Sequence, residues 1–249
     1  MPYEVTYSDL GTMPYGECWQ LQQRLFGEVL CAKQEGRDVR GHLLMVEHPA
    51  VYTLGKSGRE SNLLVSEEYL KGLGAEYYRI DRGGDITFHG EGQLVVYPIL
   101  DLERTGMGLK DYIAALEQAV IDTVARYGIA AGRIEGASGV WVDEKSARPR
   151  KICAIGVRAS RYVTMHGLAL NVSTDLRWFG YINPCGFTDR GVTSIAAETS
   201  VRPDMERVKK DISSCLCGEL GEVEIEELEP KTILPTAFAV NYARAELDC

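Results

Sequence analysis

Residues 82–98 read RGGDITFHGEGQLVVYP, and the rest of the chain is best read outward from them. The run opens on Arg82-Gly83-Gly84 and passes through a short β-prone segment to His89. It turns on Gly90 and Gly92, then becomes an apolar strand, Gln93–Ile99. Two pairs of glycines within eleven residues let the backbone approach a ligand closely and take positive φ where needed. A packing element does not need that arrangement; a pocket wall made of backbone does. The glycines do not make a nucleotide cradle, because G-x-x-x-x-G-K-[ST] is absent and no strand–glycine–helix context surrounds them.

Upstream, Tyr3–Tyr7 alternates like a strand, and Pro14–Lys33 carries Cys18, Leu21, Leu25, Val29 and Leu30 at helical spacing. HLLMVE (42–47) reads as a buried strand that stops at His48-Pro49. HPAVYTLGKSGRESN reads as a loop. Ser66–Leu73 is a short helix with Ser66 as its cap, and Glu76–Ile80 is a strand leading into the opening stretch. Downstream, Leu109–Tyr127 is the clearest amphipathic helix and ends at Gly128. Gly139–Val142 and Ile152–Val157 read as a hairpin. Val163–Val172 is a strand interrupted at His166-Gly167, and Ser173–Gly191 is irregular. Pro203–Gly218 is helical with Ser200 as its expected cap. The tail is acidic from Glu222 and then apolar, a docked extension or a disordered one. Runs of strands with helices between some of them predict an α+β fold, a mixed or antiparallel β-sheet packed with helices.

The chain has 249 residues, enough for a sizeable core, and the composition of a soluble globular protein. A net charge of -9 argues against nucleic-acid binding, so Tyr77, Tyr78, Phe88 and Tyr97 are read as core and pocket wall rather than as base-stacking groups. No apolar run reaches membrane-spanning length and the start is polar, so the expected location is cytoplasmic, with the seven cysteines reduced. Cys215 and Cys217 form a lone C-x-C, too little for a zinc site; no metal and no cofactor are expected.

Cys185 sits in N-P-C-G, in a loop rather than on an apolar face. Pro184 fixes the chain before it and Gly186 frees the chain after it, which suits a presented side chain. A thiol with a pKa of about 8.5 is only slightly ionised at neutral pH, so a nucleophile there needs a cation or a base beside it. Lys151, at the start of K-I-C-A-I-G, is one candidate, although a lysine at a strand edge is more often a solvent-facing guard. His48, His89 and His166 are others, so a Cys–Lys and a Cys–His pair both remain open on the residues alone.

Five motifs then occur in order: HPAVYTLG (48–55), RGGDITFHGEGQLVVYP, KICAIGVR (151–158), HGLALNV (166–172) and INPCG (182–186). Over roughly residues 1–220 this resembles the lipoyl(octanoyl) transferases; residues 221–249 form an extension without an assigned role. The resemblance implies the fold of the lipoate and biotin ligase catalytic domains. It also implies transfer of an octanoyl group from acyl carrier protein to a lysine of lipoyl domains. The acceptors would be those of 2-oxo-acid dehydrogenase complexes and the glycine cleavage H protein, and the enzyme a monomer. Carried over by motif, Cys185 is the nucleophile and Lys151 the catalytic lysine. The acyl pocket maps to Arg82, Gly83, Gly84, Asp85, Ile86, Thr87, Phe88 and His89, to Ala154, Ile155 and Gly156, and to Gly167, Leu168 and Ala169.

Two positions depart from the family pattern: Glu91 stands where proline is usual, and Asp85 where glutamine is more frequent. Neither is catalytic; both bear on the polarity of the entrance. Ile86, Phe88, Ile155 and Leu168 are expected as apolar walls, and backbone amides near Gly83–Gly84 or Cys185–Gly186 as oxyanion donors. Three rival readings share the residues. One is an ATP-dependent lipoate-protein ligase of the same fold, and one an amidotransferase moving octanoyl between lipoyl domains. The third is a non-catalytic carrier-domain binder.

Overall fold

The structure, a computed structural model, describes residues 2–183, 190–199 and 202–234. The N-terminal half holds β1 (Tyr3–Thr12), α1 (Tyr15–Gln34), β2 (Gly41–Glu47), β3 (Val51–Leu54), α2 (Glu67–Gly72), β4 (Glu76–Arg79), β5 (Ile86–His89) and β6 (Gln93–Ile99). Then come α3 (Leu102–Thr105), α4 (Leu109–Ala125), β7 (Ala131–Ile134), β8 (Ala137–Val142), β9 (Arg150–Ser160) and β10 (Val163–Asn171). The chain continues through β11 (Gly191–Val192), α5 (Ile195–Glu198), α6 (Met205–Glu219), β12 (Val223–Glu227) and α7 (Pro230–Ile233).

Among the described residues the strands make two sheets. The larger runs β12-β1-β2-β6-β10-β9-β8-β7, with β11 also on β9; the smaller runs β4-β3-β5. Both are mixed: β1 is parallel to β2 and β12, and β3 is parallel to β4, while β2–β6–β10–β9–β8 is antiparallel throughout. The central strands are buried on both faces, which is why LLMV in β2 and LVVYPI in β6 read as near-continuous apolar runs. On one face Met45, Val96 and Leu170 pack with Leu116 and Val120 of α4 and Ile212 of α6. On the other, Val46, Val95 and Ala169 pack with Leu21, Leu25 and Val29 of α1.

Several local expectations change. The loop expected after His48 contains β3, whose four residues are all buried and so show no alternation to read. The cap of α6 is Asp204, whose carboxylate accepts from Glu206 N at 3.2 Å; Ser200 lies outside the described residues. The expected break at His166-Gly167 is not a break in pairing, because His166 stays opposite Val157 and Gly167 opposite Gly156. The backbone does depart there: His166 takes φ 60°, a conformation costly for a side-chain-bearing residue in a strand. The acidic start of the tail docks, with β12 extending the larger sheet from Tyr3↔Val223 to Tyr7↔Glu227. Ser66 caps α2 as the sequence suggests, accepting from Tyr69 N at 3.2 Å.

Candidate functional site

A cavity of about 480 Å³ lies between the smaller sheet with its Arg82–Asp85 approach and the face of the larger sheet made by β6, β10 and β9. Its floor is recessed because the strands carry small residues in register: Ala154 pairs with Ala169, and Gly156 with Gly167. Arg82, Gly83, Gly84, Asp85, Ile86, Thr87 and His89 line one wall. Ala154, Ile155, Gly156, Gly167, Leu168 and Ala169 line the opposite side, and Lys151 is also at the lining. Phe88 does not line it. On β5 it faces away with Ile86, and its ring stacks on Trp178 (5.4 Å, 6°) and tilts against Tyr52 (5.1 Å). Strand alternation accounts for Phe88, since Thr87 and His89 take the cavity face, while Ile86 both packs with Phe88 and lines the cavity.

Lys151 reaches the cavity through a β-bulge. Val140 pairs with Cys153 but Trp141 with Lys151, so β9 carries one extra residue between them. Ile152 and Cys153 consequently both enter the α4–α6 core, fully buried, and Lys151 is turned to the cavity side with Ala154 and Gly156. The ammonium donates to the Ser138 carbonyl (3.2 Å) and lies 4.5 Å from the Trp141 ring centroid. Arg190 also lies over that ring, at 5.2 Å. A second cavity of about 270 Å³ shares Lys151, Phe179 and Val192 with the first.

Cys185 and its neighbours Pro184 and Gly186 lie outside the described residues. The chain leading to them is anchored: Leu63 bridges Ile182, and Asn183 N donates to the Asn62 carbonyl at 2.8 Å. Two other thiols are removed from contention by burial, which pushes Cys18 up to about 12 and Cys153 higher still.

His48, His89 and His166 are buried, which favours their neutral forms. Burial, followed by the neighbouring His48, pushes His89 down to about 3; burial alone dominates at His48, down to about 4. His48 bonds the Met13 carbonyl (2.7 Å) and Tyr97 Oη (2.9 Å). His166 lines the cavity, and its Nε2 sits 2.9 Å from Asp81 Oδ1, while Arg158 pairs with the other Asp81 oxygen. Its partner Val157 is six residues along β9 from Lys151, roughly 20 Å of strand, which separates it from the lysine. Arg82 Nη2 donates to the Thr53 carbonyl (2.8 Å) and Oγ1 (3.0 Å), and Nη1 to the Gly83 carbonyl (2.9 Å). Gly83 N is given to the Val157 carbonyl (2.9 Å), so this amide is spent on structure rather than held for an oxyanion.

Three residues outside the motif-derived set belong to the site: Thr53, Gln93 and Asn171. Gln93 and Asn171 line the cavity, and Thr53 bonds Arg82 beside it. The signal was present for two of them: an amide at each end of a fully buried run, QLVVYP and LALN. Among the described residues no group of three His, Cys, Asp or Glu side chains could hold a metal ion.

A mixed sheet with helices on both faces and a smaller sheet roofing a glycine-walled cavity is the architecture of a lipoate-protein ligase catalytic domain. A solved bipartite lipoate protein ligase from Thermoplasma acidophilum superposes with a TM-score of 0.68 at 16% identity, covering 99% of this chain and 92% of that one. The chain belongs to the lipoyl protein ligase A/B catalytic domain family, whose model matches residues 14–216, and within it to the octanoyltransferases. It is 55% identical over 213 residues to an octanoyltransferase of Bacteroides fragilis, covering 86% of this chain and 96% of the relative. It is 54% identical over 212 residues to that of Bacteroides thetaiotaomicron, covering 85% and 93%.

Proposed function

We propose that the chain moves an octanoyl group from acyl carrier protein to a lysine of a lipoyl domain through a thioester on Cys185. The observation that supports this best is the bulge that turns Lys151 onto the face of the small-residue slot. Lys151, as its ammonium, holds Cys185 as a thiolate, which attacks the carbonyl of the carrier thioester. The departing carrier thiolate takes up the Lys151 proton, so Lys151 is left neutral. It then takes a proton from the acceptor amine as the C–N bond forms and the Cys185 thiolate departs. Thioester exchange between two thiols is close to neutral in energy, which makes an acyl-enzyme a natural resting point. Burying seven methylene and methyl carbons at about 0.8 kcal/mol each supplies on the order of 5 kcal/mol of preference for octanoyl over short acyl chains. The acceptors are the lipoyl domains of 2-oxo-acid dehydrogenase complexes and the glycine cleavage H protein.

Incubation with octanoyl-acyl carrier protein, without ATP, tests the proposal. An octanoyl adduct on the Cys185 peptide, lost in Cys185→Ala, is expected. An adduct on another cysteine, or transfer that requires ATP and free octanoate, rejects it.

A further inference from the structure

Gln93 and Asn171 are amides among buried aliphatics, 1% and 4% exposed. Gln93 Nε2 donates to Asn171 Oδ1 (2.9 Å) and to the Phe88 carbonyl (3.1 Å). Its Oε1 is therefore the acceptor facing His89 Nδ1, 2.8 Å away, and His89 carries its proton on Nδ1. His89 Nε2 is then a lone pair 3.5 Å from Thr53 Oγ1, an oxygen that already accepts from Arg82 Nη2 and so turns its own hydrogen to the histidine. At the other end Asn171 Nδ2 donates to the Thr193 carbonyl (2.9 Å). Thr193 N in turn donates to the Lys151 carbonyl (2.9 Å), and Val192 lies opposite Lys151 across β11 and β9.

The donors run in one direction, from Arg82 through Thr53, His89, Gln93 and Asn171 to Thr193. Flipping either amide would set like groups against each other, at the cost that buried polar networks exact when half-satisfied. The chain crosses beneath the cavity, joining the glycine wall to the strand that carries Lys151. β11, which pairs with that strand, needs the tie, because it is two residues long and a pair that short has little stability of its own.

We propose that Gln93 and Asn171 are positioning residues for the transfer, tying β11 and the Lys151 backbone to the acyl-slot wall so that the reacting end stays in register with the bound chain. This rests on the site being the octanoyl-transfer centre. Gln93 and Asn171 act through other groups: Asn171 through the Thr193 carbonyl, Gln93 through Asn171 and His89.

Asn171→Asp is the test. It keeps the shape and the acceptor that Gln93 needs, and removes the donor to Thr193. Single-turnover acylation of Cys185 by octanoyl-acyl carrier protein is expected to fall about a hundredfold near pH 8, with binding of a non-reactive octanoyl amide changed by less than about threefold. The ratio of variant to wild-type rate should climb towards one as the pH is lowered to about 5, because a protonated carboxyl regains a donor for the carbonyl. A ratio flat with pH, or amide binding weakened as much as the rate, overturns the proposal. If Asn171→Asp does not fold, Gln93→Met, of similar volume and without either link, is read by the same rate and binding criteria. Wild-type protein that forms no Cys185 adduct rejects the transfer reading instead. In that case hydrogen exchange at residues 191–193 decides the tie: faster exchange in Asn171→Asp supports it and unchanged exchange overturns it.

Discussion

Lys151 lies over the face of Trp141, its ammonium 4.5 Å from the ring centroid. The two residues are also directly opposed across β8 and β9, at the bulge. The ring is itself fixed, since Trp141 Nε1 donates to the Ala137 carbonyl at 3.1 Å. An ammonium on an indole face is stabilised as a cation by the electron-rich ring, and a cation beside a thiol favours its thiolate form.

Lys151→Arg separates the two halves of the reaction. A guanidinium keeps the positive charge but does not lose its proton near neutrality. The acyl-enzyme should still form on Cys185, while transfer to a lipoyl domain should fall by about 10²–10⁴, the usual contribution of a positioned base. Intact-mass spectrometry of the enzyme and of the lipoyl domain reads the two steps separately. Equal loss in both would mean that Lys151 has no separate role as the base for the acceptor amine.

Gly139 is a second point of constraint beside the lysine. Its φ is 118°, and a Cβ there would stand 2.5 Å from the Cys153 carbonyl and 3.4 Å from Lys151 Cε. Its amide donates to Glu117 Oε1 (3.0 Å). Gly139→Ala should lower stability by about 1–3 kcal/mol, the scale of a residue forced into sparsely allowed backbone space. Urea unfolding measures that loss. Acylation should fall as well, because the shift needed to relieve the contact moves the bulge that aims Lys151.

Much of this arrangement was legible before any geometry. Gln93–Ile99 is β6 residue for residue, and the periodicities at Leu21, Leu25 and Val29 and at Leu116, Val120 and Val124 mark the faces α1 and α4 bury. Local pattern carries that information because each side chain meets its own element's neighbour at a fixed spacing. What escaped depends on strands meeting across long separations. The bulge at Lys151 exists only as a mismatch between β8 and β9, and the Gln93–Asn171 bond joins residues 78 apart. Phe88 looked like an acyl wall because it is apolar and between glycines. Its direction is set by pairing with Tyr52 on β3, a strand too short and too buried to show a period.

Acid should destabilise the fold well above the carboxylate range. Burial is the leading cause that pushes His42 and His48 down to about 4 and His89 to about 3. The folded state keeps them neutral, whereas the unfolded chain takes up protons from its ordinary pKa of about 6.5 downward. Their contribution to stability is complete above about pH 6.5 and is lost as the pH falls towards 4. Three extra protons on the unfolded state give a slope of at most about 4 kcal/mol per pH unit. Urea midpoints measured from pH 7 to 4.5 check this, and a flat profile would mean that the histidines are not held neutral.

Ala169 tests the slot itself. It is 4% exposed, pairs with Ala154 on one side and Val95 on the other, and lines the cavity. On the same strand Leu170 belongs to the α4–α6 core, on the opposite face of β10. Ala169 sits where the α1-side core meets the cavity, so in Ala169→Leu the added carbons project into the cavity at an overpacking cost of about 1–3 kcal/mol against the core. They occupy the space that the middle of an eight-carbon chain would fill. Losing burial of three methylenes is worth about 2.4 kcal/mol, so octanoyl transfer should fall by about fiftyfold. Butyryl transfer, which ends short of the obstruction, should stay within about threefold of wild type. Leu170→Met, a volume-conserving change on the other face, should leave the chain-length profile where it was. An Ala169→Leu enzyme with an unaltered preference among four-, six- and eight-carbon donors would place the acyl chain elsewhere, and with it the meaning of the Ala154–Ala169 floor.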